Sequence, residues 1–260
     1  MAVQFYATAS ARRRDLPRRL ERKFYLPPAR VDLACGLLRH TCLMDRDYAS
    51  EQINSLYFDT PDLDQHERSC SGDFRKDKIR IRWYGRDGEP EAMRAAFLEL
   101  KSREGFASTK QRLEIQVPAE DLTPAQLGKG IVPPSLLADT MASFGHFLSD
   151  PIIPVVRISY WRYRFVEIMT GQRVSLDCHI RSTMVMIAAG WCNGEKELEI
   201  PGAVLEIKGD GVELPDTLRR MKMLDLDWGR FSKYSACIDS HIETVGTVGR
   251  LSPAGRLVWV

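Results

Sequence analysis

The chain has 260 residues, enough for one large domain with a sizeable core, and its 44% hydrophobic and 28% charged residues are ordinary for a globular protein. A formal net charge of only +2 excludes a molecule that is basic over its whole surface, so any anion site must come from local concentration of charge. No apolar run approaches the roughly 20 residues of a membrane-spanning helix, and the N-terminus has no apolar stretch before a cleavage signal, so no secretory leader is expected. The six cysteines (Cys35, Cys42, Cys70, Cys178, Cys192, Cys237) are scattered without a CxxC pair. That pattern fits reduced thiols in a cytoplasmic protein better than a disulfide frame or a zinc site.

In chain order, residues 1–17 read as an irregular basic arm, with Arg12, Arg13 and Arg14 as a solvated leader. A first strand runs from about Arg19 to Leu26 and stops at Pro27-Pro28. Helical spacing of Val31, Ala34, Leu37 and Leu38 predicts a helix over 30–42. Ile53 to Phe58 is a strand ended by Asp59-Thr60-Pro61, with a short helix over 62–70. Strands follow at 78–84, 96–102 and 110–117, the first two joined through Gly85-Arg86-Asp87-Gly88. Residues 118–154 change character into a helical insert, with helices at 121–127 and 134–148. Strands resume at 155–167 and 173–180, joined across Thr170-Gly171, with a short apolar strand at 184–188 and a turn region at 191–198. Val204 to Lys208 is the last strand. Helices are expected at 215–224, with Pro215 in the first turn, and at 231–242. The organisation is one domain over 18–245 and a tail over 246–260.

The strands share a device. In Val204-Leu205-Glu206-Ile207-Lys208, Leu205 and Ile207 point one way, and Glu206 and Lys208 the other. Glu99 and Lys101, and Glu21 and Lys23, repeat it. Lys78, Arg80 and Arg82 share a face, as do Lys110, Arg112 and Glu114, and Arg173, Ser175 and Asp177. A solvated outer face would carry mixed lysine, glutamate, threonine and glutamine, not this many arginines. Arginine is the planar donor suited to phosphate oxygens, and lysine serves as a point charge. Facing inward, such a set repels itself unless an anion fills the space. The expected fold is therefore α+β: a closed eight-stranded antiparallel tunnel barrel with flanking helices, and a polyanion as ligand. Glu206, with Glu21 and Glu99 as further carboxylates, suits a divalent cation bridging phosphate oxygens.

The ordered set Glu21-Arg22-Lys23-Phe24, Ser55-Leu56-Tyr57-Phe58-Asp59-Thr60, Lys78-Ile79-Arg80-Ile81-Arg82-Trp83-Tyr84, Leu98-Glu99-Leu100-Lys101, Arg157-Ile158-Ser159-Tyr160-Trp161-Arg162, Arg173-Val174-Ser175-Leu176-Asp177, Leu205-Glu206-Ile207-Lys208 and Phe231-Ser232-Lys233-Tyr234 resembles the triphosphate tunnel superfamily. Within it, the chain is most similar to the catalytic domain of the vacuolar transporter chaperone (VTC) polyphosphate polymerases. The resemblance implies transfer of the ATP γ-phosphoryl group to a growing polyphosphate chain, with manganese (or magnesium) as the metal. It places Lys23, Arg80, Arg82, Lys101, Arg157, Arg173 and Lys208 among the tunnel bases, with Lys110 or Arg112 as another. Lys78 shares the tunnel face. Glu206 matches the metal-binding glutamate, and Lys233 the lysine near the reacting phosphates.

Hydrolytic relatives open with Glu-x-Glu-x-Lys, whereas the same spacing here reads Arg19-Leu20-Glu21-Arg22-Lys23, which favours the polymerase branch. A metal-dependent triphosphatase or polyphosphatase of the same fold, and a polyphosphate- or nucleotide-binding module without turnover, stand as alternatives. No nucleic-acid partner is expected. The five histidines show no metal-ligand spacing, and Asp59 and Asp177 could touch the site but read first as strand-end caps.

Overall fold

The computed structural model describes residues 20–85, 92–105, 107–186, 196–209, 214–224, 231–245, 250–251 and 257–258. The basic arm with Arg19, the Arg86-Asp87-Gly88 turn and the stretch around Trp191 lie outside the described residues. In chain order the elements are β1 (Leu20–Leu26), α1 (Pro28–Thr41), β2 (Cys42–Met44), β3 (Ser50–Asp59), α2 (Asp64–Ser71), β4 (Arg75–Tyr84), β5 (Met93–Glu104) and β6 (Ala107–Pro118). A 3-10 turn (Ala119–Leu122), α3 (Pro124–Leu127) and α4 (Pro134–Ser143) form the insert. There follow β7 (Ile153–Glu167), β8 (Arg173–Met184), β9 (Glu197–Gly209), a 3-10 helix (Asp216–Leu224), α5 (Lys233–Val245) and the two-residue strands β10 (Arg250–Leu251) and β11 (Leu257–Val258).

One antiparallel sheet dominates, in the order β1-β9-β8-β7-β3-β4-β5-β6, with β2 added alongside β7. The expected closed barrel is not what the hydrogen bonds make: the path ends at β1 and β6, and among the described residues no ladder joins those edges. Long side chains span the remaining gap. Lys101 Nζ on β5 lies 3.1 Å from Glu21 Oε2 on β1. The Tyr25 ring on β1 also stacks at 5.5 Å on Phe231, just before α5. The sheet therefore curls far enough for side chains of β1 and β5 to meet, with no backbone ladder between its edge strands among the described residues.

Three cores hold this shape. On the outer face of β3–β6, Leu56, Ile79, Ile81, Trp83, Leu98 and Leu100 pack against Leu127, Leu137 and Met141 of the insert. On the outer face of β1, β9 and β8, Phe24, Leu205, Ile207, Val174 and Leu176 pack against Ala34 and Leu38 of α1 and Leu218 and Met221 of the 3-10 helix. The third core lies on the concave face. There Ile53, Tyr57, Val156, Ile158, Tyr160 and Val204 are covered by Tyr234, Cys237 and Ile238 of α5.

The helix expected over 134–148 stops at Ser143, where Gly145 takes a positive φ of 76°. The segment expected as a helix over 215–224 is 3-10. Met184 ends β8 instead of opening a strand of its own. The register of β8 shifts between Cys178 and Ile180, with His179 at φ 51°, and this bulge moves the concave-facing residues from Asp177 to Ile180. Opposite it, Gly202 has φ 89°, and a Cβ there would sit 2.1 Å from the Leu26 carbonyl oxygen, so the close approach of β9 to β1 requires glycine. Among the described residues no helix is long and apolar enough to cross a membrane.

Candidate functional site

Strand alternation and register decide which side chains share the concave face. In β4, Ile79, Ile81 and Trp83 enter the outer core, so Lys78, Arg80 and Arg82 point inward. Register places Lys78 beside Lys101 and Arg80 beside Glu99. Arg80 donates to Glu99 through Nε at 2.8 Å and to the Tyr57 hydroxyl through Nη1 at 2.9 Å. Arg82 reaches the hydroxyls of Ser55 and Tyr160, each at 3.3 Å. Lys110 on β6 contacts the other oxygen of Glu99 at 2.5 Å. Burial works to protonate Glu99, but Arg80, Arg82 and Lys110 outweigh it and hold the carboxyl down at about 2.

A second chain of contacts crosses from the sheet edge to α5. Glu21 touches Lys101 at 3.1 Å, Lys208 at 3.4 Å and Lys23 at 3.6 Å. Lys208 touches Glu206 at 2.9 Å, and Glu206 lies 3.4 Å from Arg162. Arg162 grips Asp177 with both arms, at 2.6 and 2.7 Å. Lys233 Nζ closes the series 2.6 Å from Asp177 Oδ2, beneath the Tyr160 ring. Burial opposes the charge on Lys233, but Asp177 and Tyr160 raise its pKa overall.

The start of α5 sets that position. Ser232 caps the helix by accepting a hydrogen bond from the Ser235 N–H at 3.2 Å, and it also accepts one from Lys78 Nζ at 2.6 Å. Tyr234 donates to Asp59, which accepts the N–H groups of Thr60, Gln65 and His66 at the start of α2. Asp59 is thus the expected cap, and it also ties α5 to α2.

Positive charge exceeds negative charge in this groove, and the lysines register it. Burial, then Lys23, Lys101 and Arg80, push the Lys78 ammonium down to about 7. Burial likewise lowers Lys110, to about 8, although Glu99 pulls the other way. Lys101 is also lowered, by burial and by Lys23.

Of the residues singled out in the sequence, the structure brings together Lys23, Lys78, Arg80, Arg82, Lys101, Lys110, Lys208, Lys233, Glu21, Glu99 and Glu206. Arg112 and Arg173 are exposed: Arg112 lies over the Phe97 ring at 4.6 Å, and Arg173, the first residue of β8, is paired with Lys208. Arg157 belongs to the other side. Its register partners are Leu56 and Thr183, Leu56 lies in the outer core, and Arg157 donates to Asn54 at 3.2 Å. The concave-facing bases of β7 are Arg162 and Arg164, in phase with Val156, Ile158 and Tyr160. The parity of Tyr160-Trp161-Arg162 is legible in the sequence, because residues 157 and 162 are an odd number apart and cannot share a face of an uninterrupted strand. Asp177, read as a cap, is instead the buried acid between Arg162 and Lys233.

For a divalent cation the donor set narrows to two carboxylates. Glu206 and Glu21 both lean on Lys208, and burial notwithstanding, Glu21, Lys208 and Lys23 hold Glu206 ionised. Oxygen donors of this kind fit a hard cation that takes its remaining ligands from phosphate and water. Glu99 is engaged on both oxygens by Arg80 and Lys110 and does not fit.

Among solved structures, the chain is similar to a putative adenylate cyclase from Bacillus halodurans, at 13% identity and a TM-score of 0.47, covering 83% of this chain and 94% of that one. A putative adenylate cyclase from Vibrio parahaemolyticus shares 10% identity at a TM-score of 0.41, covering 86% and 98% respectively. No curated protein matches the chain. The VTC domain family model matches residues 18–242, the span that carries β1 through most of α5 and every charged contact described above, so the chain belongs to the VTC domain family.

Proposed function

We propose that this protein is a polyphosphate polymerase that transfers the γ-phosphoryl group of ATP to the end of a polyphosphate chain held in the concave groove. One observation carries the reading: Lys23, Lys78, Arg80, Lys101 and Lys110 are gathered on one concave face around few carboxylates, and burial, with Lys23 and Lys101 beside it, lowers the Lys78 ammonium to about 7, a cost that a bound polyanion would offset. Membership of the VTC domain family supports a substrate built of linked phosphates. In the proposed reaction a terminal oxygen of the polyphosphate chain forms a bond to the γ-phosphorus as the bond to the β–γ bridging oxygen breaks, and ADP leaves. No protein nucleophile is needed, since such transfers depend on positioning and charge neutralisation.

Arg80, Arg82, Lys101, Lys23, Lys78, Lys110 and Lys208 would bind and orient the phosphates. Lys233, fixed by Asp177 at the head of α5, would meet the charge that develops on the transferred group. Glu206, with Glu21, would hold a divalent cation, manganese or magnesium, whose contribution is further neutralisation of phosphate oxygens. Arg112 and Arg173, exposed at the periphery, would guide the chain. A cytoplasmic location with access to ATP goes with this reading.

Incubation of the pure protein with ATP and manganese tests it. Equimolar ADP and lengthening chains support the polymerase. Free phosphate without chains assigns a hydrolase, and binding without turnover assigns a binding module; either overturns the proposal.

A further inference from the structure

At the rim of the groove, α2 and α5 bring three different ligand types to one point. His66 and Cys70 are four residues apart on α2 and therefore lie on one side of that helix. Asp239 comes from the facing side of α5. The ligand atoms of the three all lie within 4.8 Å of one another. His66 Nε2 is 3.1 Å from Asp239 Oδ1, and Cys70 Sγ is 3.8 Å from the same nitrogen. A tetrahedral ion with bonds of about 2.0 Å to nitrogen and about 2.3 Å to sulfur separates those two ligands by about 3.5 Å. The cluster is close to that spacing with no ion in place.

The arrangement is not that of a nucleophilic relay. A Cys–His–Asp relay sets the thiol and the carboxylate on opposite ring nitrogens. Here Asp239 meets Nε2, and Sγ lies almost equally far from Nε2 and from Nδ1, at 3.8 and 3.9 Å. Burial and the Asp239 charge also raise the Cys70 thiol, the wrong direction for a nucleophile. For a ligand the surroundings are favourable. Burial lowers the His66 pKa, although Asp239 pulls the other way, and exposed Cys70 can turn toward an incoming ion and yield its proton as it binds.

We infer that His66, Cys70 and Asp239 form a binding site for a borderline transition-metal ion of the zinc class at the seam between α2 and α5. One imidazole, one thiolate and one carboxylate suit zinc or cobalt better than magnesium or manganese, which prefer all-oxygen sites. The exposed side leaves the fourth position to water. The site is separate from the groove carboxylates and does not depend on the function proposed for them. It does bear on the groove's geometry, because α5 opens with Lys233 and the same two helices are already joined through Asp59 and Tyr234. An ion there fixes the helix that presents Lys233.

Cobalt(II) titration of the full chain tests this, with Glu206→Gln as a parallel sample to remove groove binding. The expected result is saturation at one equivalent with intense tetrahedral d–d bands and a near-ultraviolet thiolate-to-cobalt band, to which groove carboxylates contribute nothing. Cys70→Ser should abolish the thiolate band. Asp239→Asn should weaken binding about tenfold or more, since even outer-shell partners of a metal are worth that much. Zinc should raise the melting temperature of the wild type and of Glu206→Gln but not of Cys70→Ser. Weak octahedral bands without the thiolate band, or an equal zinc shift in Cys70→Ser, overturn the site.

Discussion

Replacing Lys78 by methionine should make the protein more stable and a poorer ligand for phosphate chains. Lys78 is faced by Lys76 on its own strand, Arg80 beyond it, Lys101 across the ladder, Lys23 from β1, His66 from α2, and the Ser232 hydroxyl and Tyr234 ring of α5. Its pKa falls from 10.5 in the unfolded chain to about 7 in the fold. Between those values the unfolded chain binds the extra proton, so stability should rise as pH rises from 7 to 10.5; below 7 the full penalty is present. At about 1.4 kcal/mol per unit the shift corresponds to roughly 4 kcal/mol at neutral pH, and relaxation and water entry reduce this to about 2–4 kcal/mol. Methionine keeps the length and removes the charge, so Lys78→Met should gain about that much at pH 7 and lose the rising limb of the pH profile. Tripolyphosphate binding near pH 8 should draw a proton onto Lys78 in the wild type, seen as buffer-dependent calorimetric heat, and the variant should show less uptake and at least about tenfold weaker affinity. Parallel stability profiles with equal affinities would show that Lys78 stands in water and would remove the argument for a crowded basic groove.

Three further outcomes are expected. Glu206→Gln should abolish metal-dependent turnover while ATP still binds, checked by calorimetry beside a product assay; full manganese-dependent activity would clear Glu206 of any metal role. Lys233→Ala should lower the single-turnover rate far more than tripolyphosphate affinity, because its interaction strengthens as charge develops on the transferred group. Equal losses in rate and affinity would make it a binding residue only. Arg162→Ala should weaken tripolyphosphate binding by about 1.5–3 kcal/mol, the value of a charge-assisted hydrogen bond, while Arg157→Ala should reduce stability and leave affinity near wild type. The reverse ranking would show that the face assignment on β7 is wrong.

Much of the site was legible because strand periodicity is local. Lys78, Arg80 and Arg82 declare a common face through the apolar residues between them, and Glu206 and Lys208 do the same. What was not legible depends on where strands meet. Arg157 stands in a matching segment, but only pairing with Leu56 reveals that its side of β7 belongs to the outer core. Asp177 looks like a strand-end cap until Arg162 and Lys233, at sequence distances of 15 and 56, converge on it in three dimensions. The metal-ligand cluster is hidden in the same way, since His66 and Cys70 gain meaning only when α5 brings Asp239 alongside. Closure of the barrel by hydrogen bonds is the expectation of overall topology that the described ladders do not bear out. Alternation shows which face is concave but carries no information on whether two distant edges come within hydrogen-bonding reach.

On the proposed function, that open seam would shape how the groove admits a polymer. The better exposed charged residues, Lys101, Lys110, Lys208 and Glu21, come from β5 and β6 on one side and from β9 and β1 on the other, so they flank the line where the edges face. The more deeply buried ones, Arg80, Arg162 and Lys233, lie toward the middle of the sheet and at the head of α5. A ladder between β1 and β6 would force any chain to enter end-on. Here the contact across the seam between Lys101 and Glu21 is a partly exposed ion pair, worth about 1 kcal/mol or less. A phosphate oxygen competes directly with the Glu21 carboxylate for the same ammonium, so substrate binding can replace the seam's ion pair without breaking backbone hydrogen bonds. The two edges also carry Lys23, Lys110 and Arg112, whose charges discourage a neighbouring strand from adding to them. The same edge charges would therefore line the approach of the polyanion proposed as substrate to the buried bases.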